Sequence, residues 1–165
     1  MLEQTDFPTY SIALYGKGKV EESCLRLQDG YGLDVNTVLF CYWFGARHGV
    51  VGEGLWDRID EISRQWQGRL IRPLREARRW MKHPGFEPDR EQRDLRESIK
   101  ADEIAAELLQ QRMMQEACTG FVDSAPAEAA EAARRNAEAL IQRHGIALDE
   151  EIRDLLAAIS SAAFS

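Results

Sequence analysis

The sequence contains no CxxC pair, no HExxH motif, no Gly-rich phosphate loop and no G-x-S-x-G elbow. Those absences remove the commonest zinc, nucleotide and serine-hydrolase signatures. Cysteine is scarce: Cys24, Cys41 and Cys118 lie in apolar helical contexts and are expected to be buried free thiols. His48, His83 and His144 stand too far apart to form an i,i+4 metal pair, so neither a metal site nor a cofactor is expected. The longest apolar run, Thr37 to Ala46, has about half the length that crosses a bilayer, so no membrane partner is expected. The opening Met1 to Phe7 has no cationic or apolar leader pattern, which points to the cytoplasm.

Charge is present but unevenly placed. Residues 1–83 carry 12 Lys and Arg against 11 Asp and Glu; residues 84–165 carry 9 against 17, giving +1 and −8 and the net −7. An acidic chain is a poor general nucleic-acid binder, so DNA is not an expected partner, and an RNA or ribosome contact ranks last. Only five prolines occur, and Ala, Leu, Glu, Gln and Arg dominate the second half, a composition that favours helix.

Pro8–Tyr15 and Val20–Asp29 are predicted as the first two helices, the second ending in the turn Asp29-Gly30-Tyr31-Gly32. Asp34 fits an N-cap, flanked by Leu33 and Val38 at the positions of a hydrophobic staple. The helix it opens, Val35 to His48, carries Val38, Leu39, Phe40, Cys41, Tyr42, Trp43 and Phe44 in succession. Seven apolar residues in a row cover every direction around a helix, so this one is the central buried element. Further helices are expected over Leu55–Gln67, Arg90–Cys118, Ala127–His144 and Leu148 onward, with Gly68 and Pro73 marking a new start or a kink. The pattern implies an all-α, single compact bundle of about six or seven helices around 35–48, with a C-terminal helical hairpin. The domain reading is a helical core over 1–118, a linker over 119–126 and the hairpin over 127–165.

Two constellations could carry chemistry. Gln28, Asp29, Asp34 and Asn36 surround the Gly-rich turn at the mouth of the central helix. They would form a polar pocket or, more simply, a cap and an Asx-turn. The segment Arg69 to Lys82 holds six basic residues and one acid, with Arg72, Arg75, Arg79 and Lys82 inside one sector of about 80°. That ridge would recognise a small anion, RNA backbone or an acidic partner, unless Glu87, Asp89, Glu91, Asp94 and Glu97 fold back and neutralise it. On the long acidic helix, Leu95, Ile99, Ala106, Leu109 and Met113 form one stripe with Ile104 and Leu108 roughly opposite, which suggests packing on two sides.

The run from Cys24 to Gly45 resembles the hallmark of a proteobacterial domain-of-unknown-function family, C-L-x-L-Q-D-x-x-G-x-D-V-N-x-x-L-F-x-x-W-x-G. Arg72-Pro-Leu-Arg-x-x-Arg-Arg79 is similar to its second block, and the resemblance spans roughly residues 7–115. Pro8 stands where that pattern has Trp. The resemblance implies a helical bacterial cytoplasmic protein and carries over no catalytic residue. The expected function is a non-enzymatic helical adaptor whose partner is another protein or a second copy. The alternative is binding of a small, phosphorylated or anionic molecule, with possible acid–base chemistry, between Gln28/Asp29/Asp34/Asn36 and Arg72/Arg75/Arg79.

Overall fold

The computed structural model describes residues 5–83, 85–121 and 126–165, so Pro84 and part of the expected linker lie outside the described residues. All regular structure among the described residues is helical: α1 (Phe7–Tyr15), α2 (Val20–Tyr31), α3 (Val35–His48), α4 (Glu53–Trp66), a π-helical turn (Gln67–Ile71), α5 (Arg72–Trp80), α6 (Arg90–Glu116), α7 (Ala129–Arg143) and α8 (Glu150–Ala163). Because α4, the π turn and α5 form one continuous run, seven separate rods result. None of the described helices is long and apolar enough to cross a membrane.

Central helix α3 begins where its cap requires. Asp34 has extended backbone and its Oδ1 accepts from the Asn36 N–H at 2.9 Å. Leu33 and Val38 are both buried beside it, as a hydrophobic staple requires. Every residue from Asn36 to Ala46 is buried. Fully burying each large apolar side chain of this stretch contributes about 1.5–3 kcal/mol.

The enclosure of α3 is completed from far along the chain. α7 lies directly against it, and the two backbones approach so closely that a Cβ at Gly45 would stand 2.5 Å from Ala133 Cα. Asn136 on α7 donates to the carbonyls of Cys41 (3.3 Å) and Gly49 (3.0 Å), and its Oδ1 accepts from the Val51 N–H at 2.9 Å. One buried amide thereby satisfies the end of α3 and the connection to α4. Tyr42 donates to the Leu156 carbonyl on α8 at 3.0 Å. Cys24, Cys41 and Cys118 are buried free thiols, and burial pushes the Cys24 and Cys118 thiols up to about 12.

At Gly68 and Pro73 the helix neither stops nor restarts; it passes through the π turn. Pro73 has no N–H to give to the preceding turn, and a wider turn absorbs the missing bond. α5 and α6 then run antiparallel after the connection over 81–89, with Arg75 beside Glu103 and Glu107 and Arg78 beside Glu103.

Candidate functional site

The turn after α2 and the ridge on α5 meet. Gln28, Asp29, Gly32 and Leu33 form one wall of a cavity of about 410 Å³, and Gln67, Arg72, Arg75, Glu76 and Arg79 form the other. Arg79 donates to Asp29 at 3.1 Å, across 50 residues of sequence. Five of the seven residues singled out from the sequence therefore share a cavity: Gln28, Asp29, Arg72, Arg75 and Arg79.

Asp34 and Asn36 are not among them. Asp34 accepts five hydrogen bonds: from Asn36 N–H and Gln67 Nε2 on Oδ1, and from Thr37 Oγ1, Ser63 Oγ and Gln110 Nε2 on Oδ2. Gln110 Oε1 accepts in turn from Asn36 Nδ2 (3.0 Å) and Gln67 Nε2 (2.9 Å). Asn36 Nδ2 also reaches the Glu107 carbonyl, and Asn36 Oδ1 accepts from Gln111 Nε2 at 2.8 Å. Because a backbone carbonyl can only accept, this chain of amides has one direction throughout. Gln67 belongs to both neighbourhoods, lining the cavity and holding Asp34. The polar turn is thus divided between a solvent cavity and a sealed joint that ties α3, α4, the π turn and α6 together.

The ridge is partly neutralised by the protein's own acids, chiefly Glu103 and Glu107 in the middle of α6, with Glu97 adding only a longer-range attraction at Arg78. Arg75 pairs with Glu103 and Glu107, both at 2.9 Å, and Arg78 with Glu103 at 2.6 Å. Antiparallel pairing after a short connection brings the middle of α6 alongside α5, so the acids at its start outrun the ridge. Arg72 has no hydrogen-bonded or ion-paired partner among the described residues.

The rotation of α6 also differs from expectation. Its buried residues are Glu103, Ala106, Gln110, Gln111 and Met114, whereas Leu95, Ile104, Leu109 and Met113 are exposed. Of the two apolar stripes only Ala106 is buried; the strip between them, Glu103, Gln110, Gln111 and Met114, faces inward. The helix takes this rotation because Glu103 and Gln110 meet arginines and a carboxylate there, and buried polar groups are held where partners exist.

Electrostatics follow from these contacts. Asp29 lies below its ordinary value, chiefly through the Gln28 amide and then Arg79. Burial alone would raise Glu103, but hydrogen bonds from Arg78 and Arg75 outweigh it and hold it low. For Glu107 burial prevails over Arg75, and its carboxyl is raised. Among the described residues no three His, Cys, Asp or Glu side chains gather closely enough to hold a metal ion.

Sequence reasoning missed Ser63, Gln67, Glu103, Glu107, Gln110, Gln111 and Asn136. Their one visible signal was position: Glu103, Gln110 and Gln111 fall on the strip of α6 that its two apolar stripes leave between them.

A family model described as protein of unknown function (DUF2390) matches residues 6–114. No curated protein and no solved structure matches the chain. Residues 115–165, outside the family match, nevertheless supply core side chains including Ala133, Leu140, Ile141, Ile152 and Ile159.

Proposed function

We propose that this chain, which belongs to the family of unknown function DUF2390, is a non-enzymatic helical adaptor that binds a partner protein at the outer end of the α5–α6 hairpin. One observation carries the reading: α6 runs for 27 residues, about 40 Å, yet has no buried residue before Glu103. Helices in water draw most of their stability from packing an apolar face, and before Glu103 only Arg96 and Ile99 of α6 are even half-buried. Beside it, Trp80 is 65% exposed and Leu95 55% exposed. The Trp80 ring lies against those of His83 and Phe86, with centroids 5.4 and 5.8 Å away. An exposed Trp and an exposed Leu on one hairpin are residue types of an interface centre. A partner helix with an apolar face fits this end. Three free thiols are consistent with a reducing compartment such as the bacterial cytoplasm.

A photo-crosslinking residue at position 95 tests this, with position 150 as an exposed control. Discrete crosslinked species from 95, lost on Trp80→Ala, are expected, and light scattering separates a second copy from a different protein. Equal crosslinking from both positions, or none from 95 in a strictly monomeric protein, overturns it.

A second reading rests on Arg72. An arginine without a partner, in a cavity where Arg79 is held by an exposed Asp29, can take the carboxylate or phosphate of a small ligand. Arg72→Gln should abolish stabilisation by inorganic phosphate; an unchanged thermal shift removes this reading.

A further inference from the structure

In the cavity between the turn after α2 and the ridge on α5, two polar groups are held firmly from behind and left open in front. Gln67 is 7% exposed and lines this cavity. Both hydrogens of its Nε2 are committed, to Asp34 Oδ1 at 3.0 Å and to Gln110 Oε1 at 2.9 Å. A carboxylate only accepts, so the amide cannot be turned over and its Oε1 is fixed as an acceptor. That oxygen has no partner among the described residues and, unlike the sealed Gln111 Oε1, keeps accessible surface. Arg75, whose side chain is 11% exposed, is held in the same way. Its Nε donates to Glu103 and its Nη2 to Glu107, both at 2.9 Å. The Nη1 edge is left accessible and without a partner among the described residues. The surface that each side chain keeps opens on the cavity both line, where Arg72 is the free cation.

We propose, building on the reading in which Arg72 takes an anion, that this cavity binds a small carboxylic acid with a hydrogen-bond donor on the neighbouring carbon, an α-hydroxy or α-amino acid. The carboxylate pairs with the Arg72 guanidinium and accepts from Arg75 Nη1, and the hydroxyl or ammonium donates to Gln67 Oε1. An acceptor on a buried side chain, fixed in direction and with nothing to accept from, is uncommon in folded proteins; here it faces a cavity of about 410 Å³. Charge selects the acid. Three arginines stand against Asp29 and Glu76 on the cavity walls, a side-chain balance of +1. Glu103 and Glu107 lie behind Arg75. That balance suits one negative charge, whereas a phosphate dianion would be repelled by the surrounding carboxylates. Spacing selects the place of the donor. Arg75 is anchored on Glu107 and Gln67 on Gln110, three residues apart and so about 4.5 Å along the axis of α6. The anion and donor of the ligand must be comparably close, as they are on adjacent carbons.

Lactate, alanine, propionate and O-methyllactate share a propionate skeleton and differ at the α carbon, so chemical-shift titration of the full chain with each separates the parts of the claim. Lactate or alanine, according to which donor the site takes, is expected to give saturable shifts at residues 28–33 and 67–79. Propionate and O-methyllactate, which lack the donor, should bind about fivefold more weakly. The side-chain amide resonance of Gln67 should move with lactate or alanine and stay still with propionate. Arg72→Gln, at an exposed position that makes no contact with another charged group, should remove the shifts for all four acids. Equal binding of all four, a Gln67 resonance that never moves, or tighter binding of inorganic phosphate than of lactate and alanine overturns the proposal and leaves Arg72 as a simple anion site. Shifts that survive Arg72→Gln, or no shift at these residues with any of the acids, overturn both the proposal and the reading beneath it.

Discussion

Gln110 Nε2 donates to Asp34 Oδ2 at 2.5 Å, joining two residues 76 positions apart in the chain. Asp34 is at once the cap of the central helix and the acceptor for donors on α4, the π turn and α6. Removing its carboxylate should therefore cost more than an ordinary cap. For Asp34→Ala we expect a loss of about 3 kcal/mol or more in urea unfolding, because the cap disappears and Gln67, Gln110 and Ser63 lose an acceptor together. A loss below about 1 kcal/mol would mean that those donors find water instead.

Gly45 offers the sharpest packing prediction. A methyl there meets Ala133 Cα and backbone N at 2.5 and 2.6 Å, neither of which can swing aside. Gly45→Ala should destabilise by about 2–3 kcal/mol despite alanine's better helix propensity, measured as a lowered Tm.

Ser11→Ala should move the other way. It removes a buried hydroxyl without a partner among the described residues and places a better helix former in α1, so a gain of about 1 kcal/mol is expected in urea unfolding.

Stability should depend on Glu103 in acid. Its folded pKa is depressed, so its contribution is present above the ordinary glutamate value of about 4.3 and is lost as pH falls through the lower folded value. Glu107 is raised and acts with the opposite sign. In urea unfolding at a series of acid pH values, Glu103→Gln should lack the part of the acid slope that the wild type shows below that point. An unaltered slope would mean that Arg75 and Arg78 do not hold Glu103 as described.

Much of the fold was legible before any coordinates. The cap at Asp34 with its staple predicted α3 to within a residue at each end, since capping is a contact between neighbours. Helix boundaries elsewhere shifted by a few residues, as with α2, which runs on to Tyr31 until Gly32 takes positive φ. The candidate site was half legible. Gln28 and Asp29 do face the arginines, but Asp34 and Asn36, a few positions further on, point into a different joint. The two apolar sides of α6 predict packing on both, whereas ion pairs and amides set its rotation and leave Leu95, Ile104, Leu109 and Met113 exposed.

Composition, periodicity and capping were enough by themselves to determine helices, a buried central rod and the residues able to form a polar turn, because those properties act over one or two turns of chain. Which polar groups meet, which arginine is left without an acid, and which hydroxyl and amide remain incomplete were decided only by the tertiary structure. The physical reason is that each such outcome depends on the relative rotation of helices far apart in sequence, and a rotation of one helix by a third of a turn exchanges a packed face for a bare one.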